Sequence, residues 1–109
     1  MEKRKRVQLS AKFELDIQII YEHGVETFGL SAAEQYKQHI MALTYELCDF
    51  YLMYAECKHI VTKKRIYRNI ILESHLIIYR IAPDSIEVLR ILHSHSSITK
   101  IRSVRSIKL

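Results

Sequence analysis

Three arginines, Arg68, Arg80 and Arg90, interrupt otherwise apolar stretches in the second half of the chain. Arginine is seldom fully buried without a partner. Three guanidinium groups that converge on one face would hold a phosphate or a carboxylate through forked hydrogen bonds. The alternative is structural, with each arginine paired to an acid of the first half of the chain, or to Glu73 or Glu87.

A histidine and two tyrosines extend this set of candidate residues. His93 ends the last apolar stretch, and Tyr67 and Tyr79 lie in the two stretches before it. RNA cleavage without a metal needs an acid or base, activation of the 2′-hydroxyl and cations for the phosphate, and these residues with the arginines would supply them. His93 and His95 would share a strand face, but no third ligand lies nearby, so we expect neither a metal nor another cofactor.

Strands would position these residues. Runs rich in Ile, Val, Tyr and Leu cover residues 65–73, 75–82 and 86–93, and the breaks between them are Ser74 and Pro83-Asp84-Ser85. Such short breaks predict a three-stranded antiparallel meander. The second and third runs are apolar on both faces, so we expect them at the centre of a sheet that is covered on one face by the first half of the chain.

The first half predicts a strand and two helices. Residues 5–10 alternate apolar and polar, and Ser10 is suited to cap a helix that ends at Gly29. A capping box from Ser31 to Glu34 predicts the start of a second helix and therefore an antiparallel helical hairpin. The apolar face comprises Phe13, Leu15, Ile17, Ile19, Ile20 and Tyr21 on the first helix and Ala33, Tyr36, Ile40, Leu43, Leu47, Phe50 and Tyr54 on the second.

Charge is distributed unevenly along the chain. The net charge is +3 over residues 1–10, −6 over 11–57 and +8 over 58–109. A basic second half suggests an anionic partner, either nucleic acid or an acidic protein segment, and a solvated surface is the alternative. In the tail, residues 97–109, Ile98, Ile101, Val104 and Ile107 alternate with Lys100, Arg102, Arg105 and Lys108, which predicts a short basic helix or a segment that orders on binding.

Length and composition limit the class of protein. A chain of 109 residues, 49% of them hydrophobic, fits one domain (1–109) and argues against disorder. No apolar run reaches the roughly 18 residues of a membrane span, and no apolar stretch follows the basic residues 1–6, so we expect no secretory signal. Cys48 and Cys57 form no CxxC motif, and we expect free thiols in a reducing cytosol.

The ordered series of residues resembles the RelE/ParE superfamily of type II toxins over about residues 7–96. The most specific stretch is YRNIILESHLIIYRIAPDSIEVLRILH, with Arg68, Tyr79-Arg80, Asp84 and the ending Val88-Leu89-Arg90-Ile91-Leu92-His93. The segment LSAKFELDIQIIYEHGVETFGLSAAEQY is similar to the first strand and helical hairpin of the family. The resemblance implies an α+β toxin with an N-terminal strand, a helical hairpin, an antiparallel meander and a basic C-terminal segment.

The resemblance also implies a bacterial cytoplasmic setting and a cognate antitoxin. ParE-like members poison DNA gyrase, whereas RelE-like members cleave mRNA on the ribosome. Leu76 stands where a catalytic arginine would be expected and no tyrosine follows His93, so the chain is more similar to ParE, although residues 51–62 replace the usual Pro-Gly loop. A toxin relic that acts as an antitoxin-binding corepressor is a further alternative.

Roles for individual residues follow from these alternatives. A ribonuclease would use His93, Arg68, Arg80 and Arg90 as catalytic residues. The predicted contacts with a target or an antitoxin are Arg65, Arg68, Arg80, Arg90, Lys100, Arg102 and Arg105. No membrane contact is expected, and the assemblies considered are a homodimer or a heterotetramer with the antitoxin. If the tail contacts the target, truncation at Ser96 should abolish toxicity and leave antitoxin binding intact.

Overall fold

The computed structural model describes residues 3–109, so Met1 and Glu2 of the basic N-terminal run lie outside the described residues. Within residues 3–109 the elements are, in chain order, β1 (Arg6–Leu9), α1 (Ala11–Phe28), α2 (Leu30–Phe50), β2 (Tyr67–Ile71), β3 (His75–Ile81), β4 (Ser85–His93) and α3 (Ile98–Ser103), followed by a 3-10 turn at Val104–Ser106. The predicted α+β class and element order are confirmed. None of the helices in this described part is long and apolar enough to cross a membrane.

The strands form one mixed sheet in the order β1-β4-β3-β2. β2, β3 and β4 make the predicted antiparallel meander, and the two apolar strands β3 and β4 are central, as expected. β1 lies parallel to β4, with Arg6 opposite Ser85 and Leu9 opposite Val88. The register shifts between Ile78 and Tyr79, so that Leu89 is an extra residue on β4.

Side-chain and backbone caps delimit the helical hairpin. The Ser10 hydroxyl accepts a hydrogen bond from the Phe13 amide at 2.9 Å, which confirms the predicted cap of α1. Gly29 ends α1 with φ of 91°, a conformation that L side chains rarely adopt, and α2 begins at the next residue. The predicted capping box is therefore wrong, because Gly29 alone reverses the chain and Ser31 already lies inside the first turn of α2.

The helical hairpin packs on one face of the sheet. This first core contains Phe13, Ile17, Ile40, Leu47, Tyr51, Ile70, Ile77, Tyr79, Ile86, Val88 and Ile91. Leu15 and Ile19, predicted to widen the buried face of α1, are more than half exposed. Each lies two residues after Phe13 or Ile17, which is about 200° around a helix and thus points away from the sheet.

The end of α2 also differs from the prediction. The helix stops at Phe50, whose side chain is about half exposed, and Tyr51 takes the buried position instead. Tyr51 is fixed there by a hydrogen bond from its hydroxyl to the Lys3 carbonyl at 2.7 Å. Tyr54 follows the helix but still contacts the core, edge-on to Tyr79 with ring centroids 6.5 Å apart.

A second core covers the opposite face of the sheet. The tail forms α3 as one of the two predicted alternatives, with Ser97 accepting a hydrogen bond from the Lys100 amide. The tail and the loop after α2 bury a shared cluster of residues, namely Cys57, Ile60, Tyr67, Ile78, Leu89, Leu92, Ile101 and Val104. The tail is thus part of the folded core, so truncation at Ser96 would expose this cluster as well as remove the basic residues.

Candidate functional site

Arg68 lies on β2 and fixes the loop that follows α2. Its Nη1 donates to the carbonyls of Leu52 at 3.2 Å and Tyr54 at 3.0 Å. Its Nε donates to the carbonyl of Arg65, a residue with φ of 55°. Three loop carbonyls therefore hold the Nε and Nη1 groups of this guanidinium.

Arg80 lies on β3 and links the sheet to the tail. Its Nε contacts the Glu87 carboxylate at 2.6 Å, Nη1 donates to the Tyr67 hydroxyl at 3.2 Å, and Nη2 donates to the Ile107 carbonyl at 3.0 Å. Burial opposes the charge, yet the hydrogen bonds with Tyr67 and Glu87 outweigh it and raise the pKa of Arg80. This arginine is held on three sides by the protein itself.

Arg90 lies on β4 and pairs with an acid of α1. Its Nε and Nη2 donate to the two carboxylate oxygens of Asp16 at 2.9 and 2.6 Å. The hydrogen bond with Asp16 is the main reason that the pKa of Arg90 is raised despite burial. Asp16 also accepts a hydrogen bond from the Ile91 amide at 3.2 Å. β1 pairs with β4 only as far as Val88, so the carboxylate takes over the pairing of β4 beyond the end of β1.

The three arginines do not converge on one face. Arg68 lies opposite Tyr79, the neighbour of Arg80 on β3. Because successive residues of a strand point to opposite faces, Arg68 and Arg80 lie on different sides of the sheet. The expectation of one shared anion site is wrong for this trio, and the structural alternative is confirmed for the pairs Arg80–Glu87 and Arg90–Asp16.

His93 belongs to a different cluster at the far end of the sheet. Its ring lies 5.8 Å from that of His75 and 5.3 Å from that of His95, centroid to centroid. His93 is opposite His75, and Arg80 is five residues further along β3, a distance of about 17 Å at the rise of a strand. The four residues predicted for a ribonuclease are therefore not assembled into one site.

The two candidate tyrosines have structural partners. The Tyr79 hydroxyl donates to the Tyr51 carbonyl at 2.6 Å, and burial strongly raises the pKa of Tyr79. The Tyr67 hydroxyl accepts from Arg80 and contacts the Arg105 carbonyl at 3.5 Å. Both hydroxyl groups hold the sheet to its covering segments and neither faces His93.

His75 is hydrogen-bonded to a tyrosine of α2. Its Nδ1 shares a 2.7 Å hydrogen bond with the Tyr36 hydroxyl. Burial, reinforced by the nearby His93, lowers the pKa of His75, and burial raises the pKa of Tyr36. Across residues 3–109, no group of three or more His, Cys, Asp or Glu side chains is arranged to hold a metal ion.

The remaining predicted contact residues are exposed at the surface. Arg65 lies in the loop before β2, and Lys100, Arg102 and Arg105 lie on the outer side of the tail. Arg102 and Arg105 line a pocket of about 400 Å³ together with the loop residues 58–61. The Arg102 Nε donates to the His59 carbonyl at 3.3 Å, which ties the tail to that loop.

An apolar groove between the two helices was not predicted. It has a volume of about 310 Å³ and runs from the hairpin tip to the β2–β3 turn. Its walls include Ile20, Tyr21, Phe28, Ala32 and Tyr36, with His75 at its end. The apolar periodicity of α1 and α2 contained this signal, but it was assigned entirely to the core.

A protein-family model and a solved structure both match this chain. A family model described as "ParE toxin of type II toxin-antitoxin system, parDE" matches residues 7–98. The fold is similar to a solved structure entitled "Chromosomal ParDE TA system from P. aeruginosa", with a TM-score of 0.70 and 21% sequence identity over 84% of this chain and 98% of that chain. A search of curated protein sequences found no match.

Proposed function

The chain belongs to the ParE toxin family of type II toxin–antitoxin systems, and we propose that it arrests growth by binding DNA gyrase until a cognate antitoxin neutralises it. The match over residues 7–98 carries this proposal, since it includes the helical hairpin and all of the sheet except the first residue of β1. Gyrase is inferred from the family. The proposal includes a cytoplasmic setting, which is where gyrase acts.

The groove between α1 and α2 supports a role in antitoxin binding. A segment that folds on binding gains its affinity from apolar contacts, and an amphipathic helix or extended peptide suits such a groove. Phe28 at the groove is 73% exposed, an unusual position for a large aromatic side chain without a partner. We therefore assign the antitoxin to this groove.

The exposed cations support a role at the target. Among the predicted contact residues, Arg65, Lys100, Arg102 and Arg105 are exposed, whereas Arg68, Arg80 and Arg90 are held by the protein. The proposal gives the first group direct contacts with the target. In the second group, Arg68 and Arg80 contribute by fixing the loop and the tail that carry those contacts, and Arg90 fixes α1 to the sheet.

Two assays on the purified protein test the proposal against a ribonuclease function. One follows DNA supercoiling by gyrase, and the other maps mRNA ends on translating ribosomes. We expect loss of supercoiling and no new mRNA ends. His93→Ala should leave the inhibition unchanged, as should the control His39→Ala on the exposed side of α2. Cleavage that disappears in His93→Ala, with supercoiling untouched, would reject gyrase as the target.

Expression in cells separates a working toxin from a relic. Induction without the antitoxin gene should stop growth, and co-expression of the antitoxin should restore it. Replacement of Phe28 by Ser should preserve growth arrest and weaken rescue, because the groove serves the antitoxin alone. Uninterrupted growth on induction, with the protein folded and present, would favour the corepressor alternative.

A further inference from the structure

Two segments distant in sequence are free of acidic residues. Residues 57–72 and 94–109 carry nine Lys or Arg residues and no Asp or Glu. Folding brings these segments together, since Cys57 and Ile60 pack in one cluster with Ile101 and Val104. The surface opposite the helical hairpin therefore collects positive charge from both segments.

Eight of the nine cations are exposed, and we call their surface the basic face: Lys58, Lys63, Lys64, Arg65, Lys100, Arg102, Arg105 and Lys108. Within the described residues, none of the eight forms an ion pair. The nearby carboxylates are engaged: Glu56 accepts from the Thr62 amide and Glu87 pairs with Arg80. Lys58, Arg102 and Arg105 line the same pocket of about 400 Å³.

We propose that the basic face binds the phosphate backbone of duplex DNA. Five of its eight cations are lysines, a residue type that is depleted at protein–protein interfaces but common in phosphate contacts. The single Tyr, Phe or Trp of the two segments, Tyr67, is buried, and the ring in the pocket of the basic face is that of the half-buried His59. Lysine content thus favours DNA over an acidic peptide, and the lack of an exposed Tyr, Phe or Trp favours a duplex over a single strand.

This inference deepens the proposed function by naming the ligand of the exposed cations. It rests on that function for its setting, since the DNA would be the segment that gyrase holds. A toxin that contacts both gyrase and its DNA would recognise the complex rather than either component. Binding to free duplex DNA can be measured whether or not gyrase is the target.

The experiment measures fluorescence anisotropy of a labelled 20-base-pair duplex between 50 and 200 mM salt. The wild type should bind with an affinity that falls steeply with salt, because each phosphate contact releases counterions. The double substitution Arg102→Gln/Arg105→Gln should weaken binding roughly ten-fold near 100 mM salt and reduce the log–log salt slope by about two.

A matched control removes the same charge from the other side of the molecule. Lys12→Gln/Lys37→Gln lies on the helical hairpin and lowers the net charge equally. This control should change affinity less than two-fold. A third pair, Lys58→Gln/Lys63→Gln, removes charge from the loop without altering α3 and should reproduce the loss.

Three results would overturn the inference. They are no duplex binding at 50 mM salt, equal losses in the tail and hairpin pairs, or tighter binding to a glutamate-rich peptide than to the duplex. Supercoiling assays on the same samples separate the two proposals. Gyrase inhibition without DNA binding rejects the inference alone, and DNA binding without gyrase inhibition rejects the proposed target alone.

Discussion

Asp16 connects the helical hairpin to the centre of the sheet. Its carboxylate receives two hydrogen bonds from Arg90 and one from the Ile91 amide, and the residue is 8% exposed. Removal of one member of such a pair leaves a largely buried charge without its partner. The energetic importance of the pair therefore lies in the cost of disrupting it.

Asp16→Ala is expected to lower the free energy of unfolding by about 3 kcal/mol. Urea denaturation followed by circular dichroism measures the change. Glu14→Ala, an exposed acid two residues earlier on the same helix, should change it by less than about 0.5 kcal/mol. A loss below about 1 kcal/mol in Asp16→Ala would show that the pair stabilises the fold far less than its geometry indicates.

The lowered pKa of His75 makes the free energy of unfolding depend on pH. Its folded pKa lies below the ordinary value of 6.5, so the unfolded chain takes up the proton first. The contribution is fully present above pH 6.5 and is lost as the pH falls towards the folded value. His93 and Tyr36 face the ring of His75. The negative charge of Glu73 acts on the Tyr36 hydroxyl, which is hydrogen-bonded to that ring.

His75→Gln should therefore flatten the decline of stability between pH 6.5 and pH 5. Urea midpoints at several pH values give the comparison with the wild type. His39→Gln, an exposed histidine on α2, should retain the wild-type decline. Parallel curves for His75→Gln and wild type would assign the pH dependence to other groups.

Sequence reasoning identified residues whose role is local. Ser10 as a cap and Gly29 as a helix end were predictable, because each role depends on neighbours within a few residues. Asp16 was not identified, since its partner Arg90 lies 74 residues away and an acid on a helix normally faces solvent. The same limitation explains why the arginines were expected to share one anion site.

The reversal between α1 and α2 depends on one residue. Gly29 adopts φ of 91° and ψ of 165°, a region that is essentially restricted to glycine. Gly29→Ala should destabilise the protein by about 1–3 kcal/mol in urea denaturation. Ser31→Ala should be neutral within about 0.5 kcal/mol, whereas a loss of about 1 kcal/mol there would restore the capping-box interpretation.

Helix α3 carries one buried and one exposed isoleucine. Ile101 is 4% exposed and Ile98 is 48% exposed. Ile101→Ala should cost about 2–4 kcal/mol of unfolding free energy, because it leaves a cavity in the second core. Ile98→Ala should cost less than about 1 kcal/mol. Equal effects would mean that the tail does not pack as described.

The hydrophobic periodicity predicted the positions of the strands and helices more accurately than the residues at which they end. Alternating and helical patterns located the strands and helices of residues 3–109, with a helix as one of two alternatives for the tail, because these patterns follow from burial on one face. The exposed Leu15, Ile19 and Phe50 were misplaced, since an apolar residue on a helix does not reveal whether its face meets a sheet. The groove between the helices was missed for the same reason.

The two cores share the central strands, so the molecule should unfold as one unit. β3 contributes Ile77 and Tyr79 to the first core and Ile78 to the second. Thermal unfolding followed by tyrosine fluorescence and by far-ultraviolet circular dichroism should give coincident curves. Ile101→Ala should shift both curves together, and a shift in one signal alone would show that the tail unfolds independently.

Charge is divided between the two sides of the sheet. The helical hairpin lies in the acidic part of the chain, and the tail and the loop before β2 form the basic face. The charge counts along the sequence predicted a basic second half of the chain. They did not predict that its two basic segments lie side by side, because these segments meet only through the second core.

The pairing of β1 with β4 has a consequence for biosynthesis. Arg6 is translated 79 residues before its partner Ser85. β1 therefore cannot pair with β4 until most of the chain has been synthesised. A partly translated chain therefore lacks the completed sheet on which both cores are built. Under the proposed function, the protein would become harmful only after nearly all of its chain has been made, and antitoxin made during that interval would be available to bind it.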